Sequence, residues 1–265
     1  MSDQKNALRL KKSKDVLRIS LNRPDHLNAL NRDLVTRLRE TFQALYFDRS
    51  VRVVILEGAG RAFCAGLDLK EISDGEDRRS IERALDRQRS LAEVYVAMRR
   101  CPQPIVCSVQ GAASGGGFAL ALASDIRILT EDARMNAAFI RIGLSACDMG
   151  VSYFLPRMIG TSLASEYILT GRFIDAQRAM EIGLANRVVP VSGMAEEVSG
   201  FVDDMLNATP LGLRLTKDGL NLSIDAAGLE AVMAIEDRNQ MLTANDPNFA
   251  EGIAAFFEKR RPNYK

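Results

Sequence analysis

With 265 residues, 47% of them apolar and 26% charged, the chain suits one large globular domain, or one domain with a helical appendage. A net charge of +1 supplies no global field to recruit nucleic acid or an anionic membrane, and no apolar run nears the roughly 18 residues of a membrane span, so any anionic ligand must be held locally. A single histidine, His26, excludes a multi-histidine metal centre, while four cysteines without C-x-x-C spacing (Cys64, Cys101, Cys107, Cys147) and a polar start without a signal-like apolar stretch read as a reduced, cytoplasmic protein.

In chain order, the alternation over Val16–Leu21 puts Leu17, Ile19 and Leu21 on one face of a strand, and Asn22-Arg23-Pro24-Asp25 ends it. Asn31 is placed to cap a helix carrying Leu34, Leu38, Phe42 and Leu45 at helical spacing. Residues 51–56 read as a buried strand closed by Gly58-Ala59-Gly60. Strand 105–109 leads to the cluster Gly115-Gly116-Gly117, a short buried helix over 118–124 and a strand over 126–129. Further on, Asp175 is placed to cap a helix that Gly183 ends, and Thr209-Pro210 opens another. Amphipathic helices over about 228–243 and 248–260 follow, with apolar faces that need a partner. Residues 1–198 thus form an α/β core and 199–265 a helical C-terminal region.

Two segments carry chemistry: Arg61-Ala62-Phe63-Cys64-Ala65-Gly66-Leu67-Asp68-Leu69 and Gly111-Ala112-Ala113-Ser114-Gly115-Gly116-Gly117-Phe118-Ala119. Neither fits a phosphate-binding G-K-S/T loop or the G-x-G-x-x-G of a dinucleotide site. A triple glycine between strand and apolar helix exposes backbone N–H groups that can bind an anion or a developing oxyanion; a tight turn without a ligand is the other reading.

The ordered set of motifs resembles the crotonase (enoyl-CoA hydratase/isomerase) superfamily: Leu21-Asn22-Arg23-Pro24-Asp25-His26-Leu27-Asn28-Ala29-Leu30-Asn31, Ala62 to Glu71, the triple glycine, Ser124-Asp125-Ile126-Arg127, Tyr153 to Gly160, Leu169 to Ala176 and Ala255 to Pro262. The resemblance implies a spiral of ββα turns with a C-terminal helical oligomerisation region, assembled as homotrimers or homohexamers. It implies an acyl-CoA substrate whose enolate is held by the backbone N–H groups of Leu67 and Gly116, one such donor being worth roughly 3 kcal/mol of barrier. It also implies coenzyme A contacts at Asp25, His26, Leu27, Ala65, Gly66, Asp68 and Gly115, with Phe256 and Lys259 supplied by a neighbouring subunit. No metal or separate cofactor is implied, because coenzyme A is part of the substrate.

Where the hydratase branch of that family carries two glutamates, this chain has Ala119 and Phe139, which transfer no proton. Asp148, one insertion away from the usual spacing, falls where some isomerases of the superfamily place their acid/base carboxylate. Capping of the following helix is the plainer role for it. The leading expectation is therefore an enoyl-CoA isomerase or related lyase of acyl-CoA metabolism. An aromatic acyl-CoA isomerase or dehalogenase, and a non-catalytic acyl-CoA-binding protein, are the alternatives. The apolar acyl pocket is expected from residues 70–98 and 135–155.

Overall fold

The computed structural model describes residues 6–74 and 80–265. Six strands form the main sheet: β1 (Leu8–Ser13), β2 (Val16–Leu21), β3 (Val53–Gly58), β4 (Ile105–Val109), β6 (Ile126–Thr130) and β9 (Arg187–Val189), in the order β1-β2-β3-β4-β6-β9. Only β1 runs antiparallel to its neighbour. A second, three-stranded sheet is made of β5 (Ala112–Ser114), β7 (Arg134–Asn136) and β8 (Ile174–Asp175). Single bridges extend its pattern backwards, Cys64 to Ala113 and Leu30 to Leu67. The turns that begin at β2, β3, β4 and β6 therefore each lay a main-sheet strand and then a second extended segment before a helix, which is the expected spiral of ββα turns.

Alternation within the strands assigns the two faces of the main sheet. Val54, Leu56, Ile105, Cys107, Val109 and Leu129 enter the large core under α1 (Arg32–Leu45), α3 (Ile81–Arg100) and α4 (Gly116–Ala123). Val53, Ile55, Val106 and Ile128 face the other way, against Val198 and Val202 of α8 (Met194–Leu206). Full burial of β3 and β4 follows from covering both faces of a parallel sheet. The expected domain boundary at 198 falls inside α8, which packs on the sheet as one helix.

Local signals fix the ends of several elements. Asn31 caps α1, its Oδ1 accepting from the Leu34 N–H at 3.0 Å, and Leu34, Leu38, Phe42 and Leu45 are buried as their spacing predicts. Between them α2 (Leu69–Asp74) and then α3 lead to β4. After β7 come α5 (Val151–Ile159), α6 (Thr161–Thr170) and α7 (Ala176–Glu181), the last capped by Asp175 on the Arg178 N–H at 2.7 Å. Thr209 caps α9 (Pro210–Ser223) on the Gly212 N–H at 3.0 Å. The chain ends with α10 (Leu229–Ala244) and α11 (Asn248–Glu258).

Two expectations move. The strand over 51–56 is β3 at Val53–Gly58: Val51 is buried but unpaired in the ladder, while Glu57 joins it because Arg18 and Ser20 satisfy its carboxylate. Apolar character reported burial there, not hydrogen-bonding register. The helix over 118–124 begins earlier, because Gly116 and Gly117 are already helical and only Gly115 (φ 51°) makes the turn.

Polar side chains fasten α9 to the core. Lys217, almost fully buried, donates from Nζ to Asp125 Oδ2 and to the Gln103 carbonyl, each at 2.8 Å, and Arg99 reaches Asp125 Oδ1 at 2.8 Å. Burial would raise the Asp125 pKa, but the two cations and the Ile105 N–H outweigh it and hold the carboxyl below its usual range. Beyond this clamp α9 to α11 expose Leu220, Ile224, Leu229, Met241, Phe256 and Phe257.

Candidate active site

The site is built where the 62–68 loop crosses the start of α4. Cys64 O accepts from the Ser114 N–H (2.9 Å), and the Cys64 N–H donates to Ala112 O (3.0 Å), which seats the loop on β5. A Cβ on Gly117 would lie 2.1 Å from Cys64 O, and one on Gly66 (φ 99°) would lie 2.8 Å from Ser114 O and 3.7 Å from the Gly116 nitrogen. Only glycine permits this approach. It brings the peptide that carries the Leu67 N–H beside the peptide that carries the Gly116 N–H. Among the described residues neither N–H has a hydrogen-bond partner in the chain: the Leu30–Leu67 bridge uses Gly66 O and the Asp68 N–H, and Gly116 stands at the first position of its helix.

Gly115 behaves differently from its neighbour. Its N–H donates inward to Asn136 O at 2.9 Å, and Phe139 packs 3.5 Å from where its Cβ would be. The Gly115 N–H is thus engaged within the chain, unlike that of Gly116. Phe139 and Ala119 are buried, so the positions of the two hydratase glutamates are apolar packing.

Asp148 comes to this place from the loop before α5. It is half-buried, its Oδ1 accepts from Gln88 Nε2 of α3 at 2.5 Å and from the Met149 N–H at 2.7 Å, and Oδ2 accepts nothing among the described residues. Burial raises its pKa above the usual carboxylate value, against the lowering effect of those two donors. Tyr95, fully enclosed, ties the surroundings together: its hydroxyl lies 3.1 Å from both Gly116 O and Met149 Sδ, and burial pushes its pKa well up. A cavity of about 90 Å³ is walled by Leu30, Val35, Leu67, Asp68, Glu71 and Gln88 among others, so Gln88 links it to Asp148. The start of α1 thus joins the expected 70–98 wall. The 135–155 wall instead reaches a larger recess of about 1270 Å³ between α3, α5 and α9, through Met149, Gly150, Tyr153 and Phe154.

Other carboxylates at the cavity are committed. Asp68 pairs with Arg23 at 2.9 Å with both side chains largely enclosed; burial would raise its pKa, but Arg23 and the Glu71 N–H prevail and lower it. Glu71 accepts from the Arg32 N–H at the start of α1. Asp68 therefore ties the 62–68 loop to Arg23 at the edge of this cavity. Asp25 and His26 are exposed on the 3-10 turn Pro24–His26, and Leu27 follows, its carbonyl accepting the Ala65 N–H at 3.0 Å. Cys64 and Cys107 are inert here, since burial pushes both thiols up to about 12. Phe256 and Lys259 are exposed near the end of α11, whose tail is tied by Arg261 to Asp203 of α8.

Sequence reasoning missed three contributors. Asn28, fully buried at φ 55°, accepts the Arg23 N–H and donates to Ala59 O and Ala62 O, each at 2.8 Å, holding the 23–30 and 59–66 loops together. A polar residue inside an apolar stretch just after a proline turn was the available signal. Gln88 and Tyr95 meet the site only through tertiary contact and carry no local one.

A two-sheet ββα spiral, with the 62–68 loop brought against the start of α4 across a glycine contact, defines a crotonase-type protein. The family model described as enoyl-CoA hydratase/isomerase matches residues 11–265, and the chain belongs to that family. It is 40% identical over 255 residues to the probable enoyl-CoA hydratase EchA12 of Mycobacterium tuberculosis, covering 94% of this chain and 88% of that one. It is 31% identical over 251 residues to the 1,2-epoxyphenylacetyl-CoA isomerase of Escherichia coli, with 95% of each covered. The crystal structure of a probable enoyl-CoA hydratase/isomerase from Mycobacterium abscessus superposes with a TM-score of 0.89 at 36% identity, covering 98% of both chains. Among the described residues no helix is long and apolar enough to cross a membrane.

Proposed function

We propose that this acyl-CoA enzyme moves a double bond rather than adding water across one, with Asp148 as the sole acid/base group. The observation that carries this reading is Asp148 itself: a half-buried carboxylate with a raised pKa, one oxygen held and the other unengaged, beside a site whose other carboxylates are committed. The Leu67 and Gly116 N–H groups donate to the thioester oxygen as it becomes an enolate. Asp148 Oδ2 takes the proton from C2 of a 3-enoyl thioester, the electron pair shifts along C2, C3 and C4, and the carboxyl group, its proton exchanging with solvent, delivers a proton at C4. One carboxylate serves both positions when both carbons lie within its reach.

The relative that acts as an isomerase on an epoxyphenylacetyl thioester supports this chemistry, whereas the name of EchA12 favours hydration. Hydration needs a second group to activate water, and Ala119 and Phe139 supply none. The coenzyme A moiety runs past Asp25, His26, Leu27, Ala65 and Gly66. Phe256 and Lys259 of another subunit complete its site in a homotrimer or homohexamer assembled through the exposed faces of α9 to α11. Replacing Asp148→Asn tests the reading: turnover of a 3-enoyl-CoA falls by about 10²- to 10⁴-fold, with thioester affinity by calorimetry kept within about threefold. Retained turnover, or lost binding, contradicts it.

A further inference from the structure

Gln88 stands sixty positions before Asp148, on α3, in the wall of the small cavity that Leu67 also lines. Its Nε2 and the Met149 N–H converge on the same carboxylate oxygen, at 2.5 and 2.7 Å. Two donors on Oδ1, one from α3 and one from the chain's next residue, tether the carboxylate by one oxygen, and among the described residues Oδ2 accepts nothing. Only the nitrogen end of the amide can make this contact, since a carboxylate offers no donor to an amide oxygen. We propose that Gln88 is a positioning residue: by holding Asp148 through Oδ1, it selects Oδ2 as the atom that carries the proton in the reaction proposed above, on which this inference rests.

The chemical type of the side chain matters. An arginine or lysine at 88 would orient Asp148 too, but its charge would pull the pKa down and weaken the base. A neutral amide orients it with a smaller effect. Among the described residues Asp148 is met by the Gln88 amide from α3 and by the Met149 N–H, and Tyr95 lies close enough to feel its charge. Arg87, next to Gln88, lines the same cavity. Among the described residues the Gln88 amide is the side chain that lowers the Asp148 pKa by direct contact. Gln88 is exposed, so it can be replaced with little effect on the core.

The test compares Gln88→Leu and Gln88→Glu with the unaltered protein on a 3-enoyl-CoA, each also combined with Asp148→Asn. Gln88→Leu should lower kcat roughly tenfold with KM within about twofold, and should move the acid limb of kcat/KM up by about half a pH unit to one unit. Gln88→Glu places a second carboxylate on Asp148 and should move the limb further up. Thermal melting should change little in either. Combined with Asp148→Asn, neither should lower the residual rate again, as residues acting through one group are not additive. If Asp148→Asn abolishes turnover while Gln88→Leu leaves both rate and acid limb in place, the role of Gln88 is refuted and that of Asp148 stands. A fall in kcat with an unmoved limb also refutes it, because a loosened helix would do as much. Full turnover in Asp148→Asn removes the underlying reading and the inference with it.

Discussion

Adjacent glycines at the start of α4 should respond in opposite ways to the same change. In Gly117→Ala the new methyl group meets Cys64 O at 2.1 Å, over an ångström inside ordinary contact, and Cys64 Cβ at 2.7 Å. Both belong to the loop seated on β5, so relief requires lifting that loop and weakening the 2.9 Å bond from the Ser114 N–H. Overpacking of this kind costs about 1–3 kcal/mol, and a buried polar group left unpaired about 1–3 kcal/mol more. Against a total stability of about 5–15 kcal/mol that is severe, and the converging N–H groups are displaced with it. In Gly116→Ala the methyl meets Leu30 Cδ1 at 2.7 Å, the Tyr95 hydroxyl at 3.1 Å and Met149 Sδ at 3.2 Å, all side-chain ends that can shift. The backbone there is already helical, where alanine gains up to about 1 kcal/mol over glycine. Urea melts should therefore show Gly117→Ala several kcal/mol less stable and Gly116→Ala close to the parent, while turnover falls in both because the second methyl group intrudes on the site. A Gly117→Ala protein with unchanged melting and activity, or a Gly116→Ala protein that is the less stable of the two, refutes this account of the glycine cluster.

Three further outcomes follow from the charges. Because Asp148 must be ionised to act as a base and its pKa is raised by burial, kcat/KM should climb through an acid limb lying above the usual carboxylate value of about 3.9. A profile flat from pH 4 upward in a range where the protein stays folded would contradict the role. The same shift works against stability: the folded state binds the Asp148 proton more tightly than the unfolded chain, so stability falls as pH rises from the unfolded pKa to the folded one. At neutral pH, Asp148→Asn should accordingly raise the Tm while abolishing turnover, and a lowered Tm would show that the charge is structural. Asp125 has the reverse sign, its stabilisation being complete above the ordinary aspartate range and lost as pH falls through its lowered pKa. Asp125→Ala removes the carboxylate that Lys217 and Arg99 share, leaving them without that counter-charge, and should cost about 3–5 kcal/mol, read by denaturant melting, with α9 loosening first in hydrogen exchange.

Much of this architecture can be read locally. Strand 105–109 and the caps at Asn31, Asp175 and Thr209 stand where expected, because alternation and side-chain-to-backbone bonds are properties of neighbouring residues. The helices α3 and α8 escape such a reading: the first half of α3 is mostly exposed and polar, and α8 shows its purpose only once the far face of the sheet exists for Val198 and Val202 to cover. At the site, Leu67, Gly116 and Asp148 are legible through family motifs. The contact between Gln88 and Asp148 spans sixty residues, and the engagement of the Gly115 N–H depends on where Asn136 O ends up. No periodicity encodes contacts of that kind. The Asp68 carboxylate is instructive for the same reason: beside a glycine loop it reads as a ligand contact, and only the fold reveals Arg23 waiting for it.

The most direct measurement supplies the protein with a 3-enoyl-CoA and, separately, a 2-enoyl-CoA in deuterated water, with products identified by NMR. Migration of the double bond between C3 and C2, with deuterium entering at the C2 and C4 positions and both lost in Asp148→Asn, is the result predicted here. Clean conversion of the 2-enoyl thioester to its 3-hydroxyacyl product, undiminished in Asp148→Asn, would contradict the one-carboxylate isomerase.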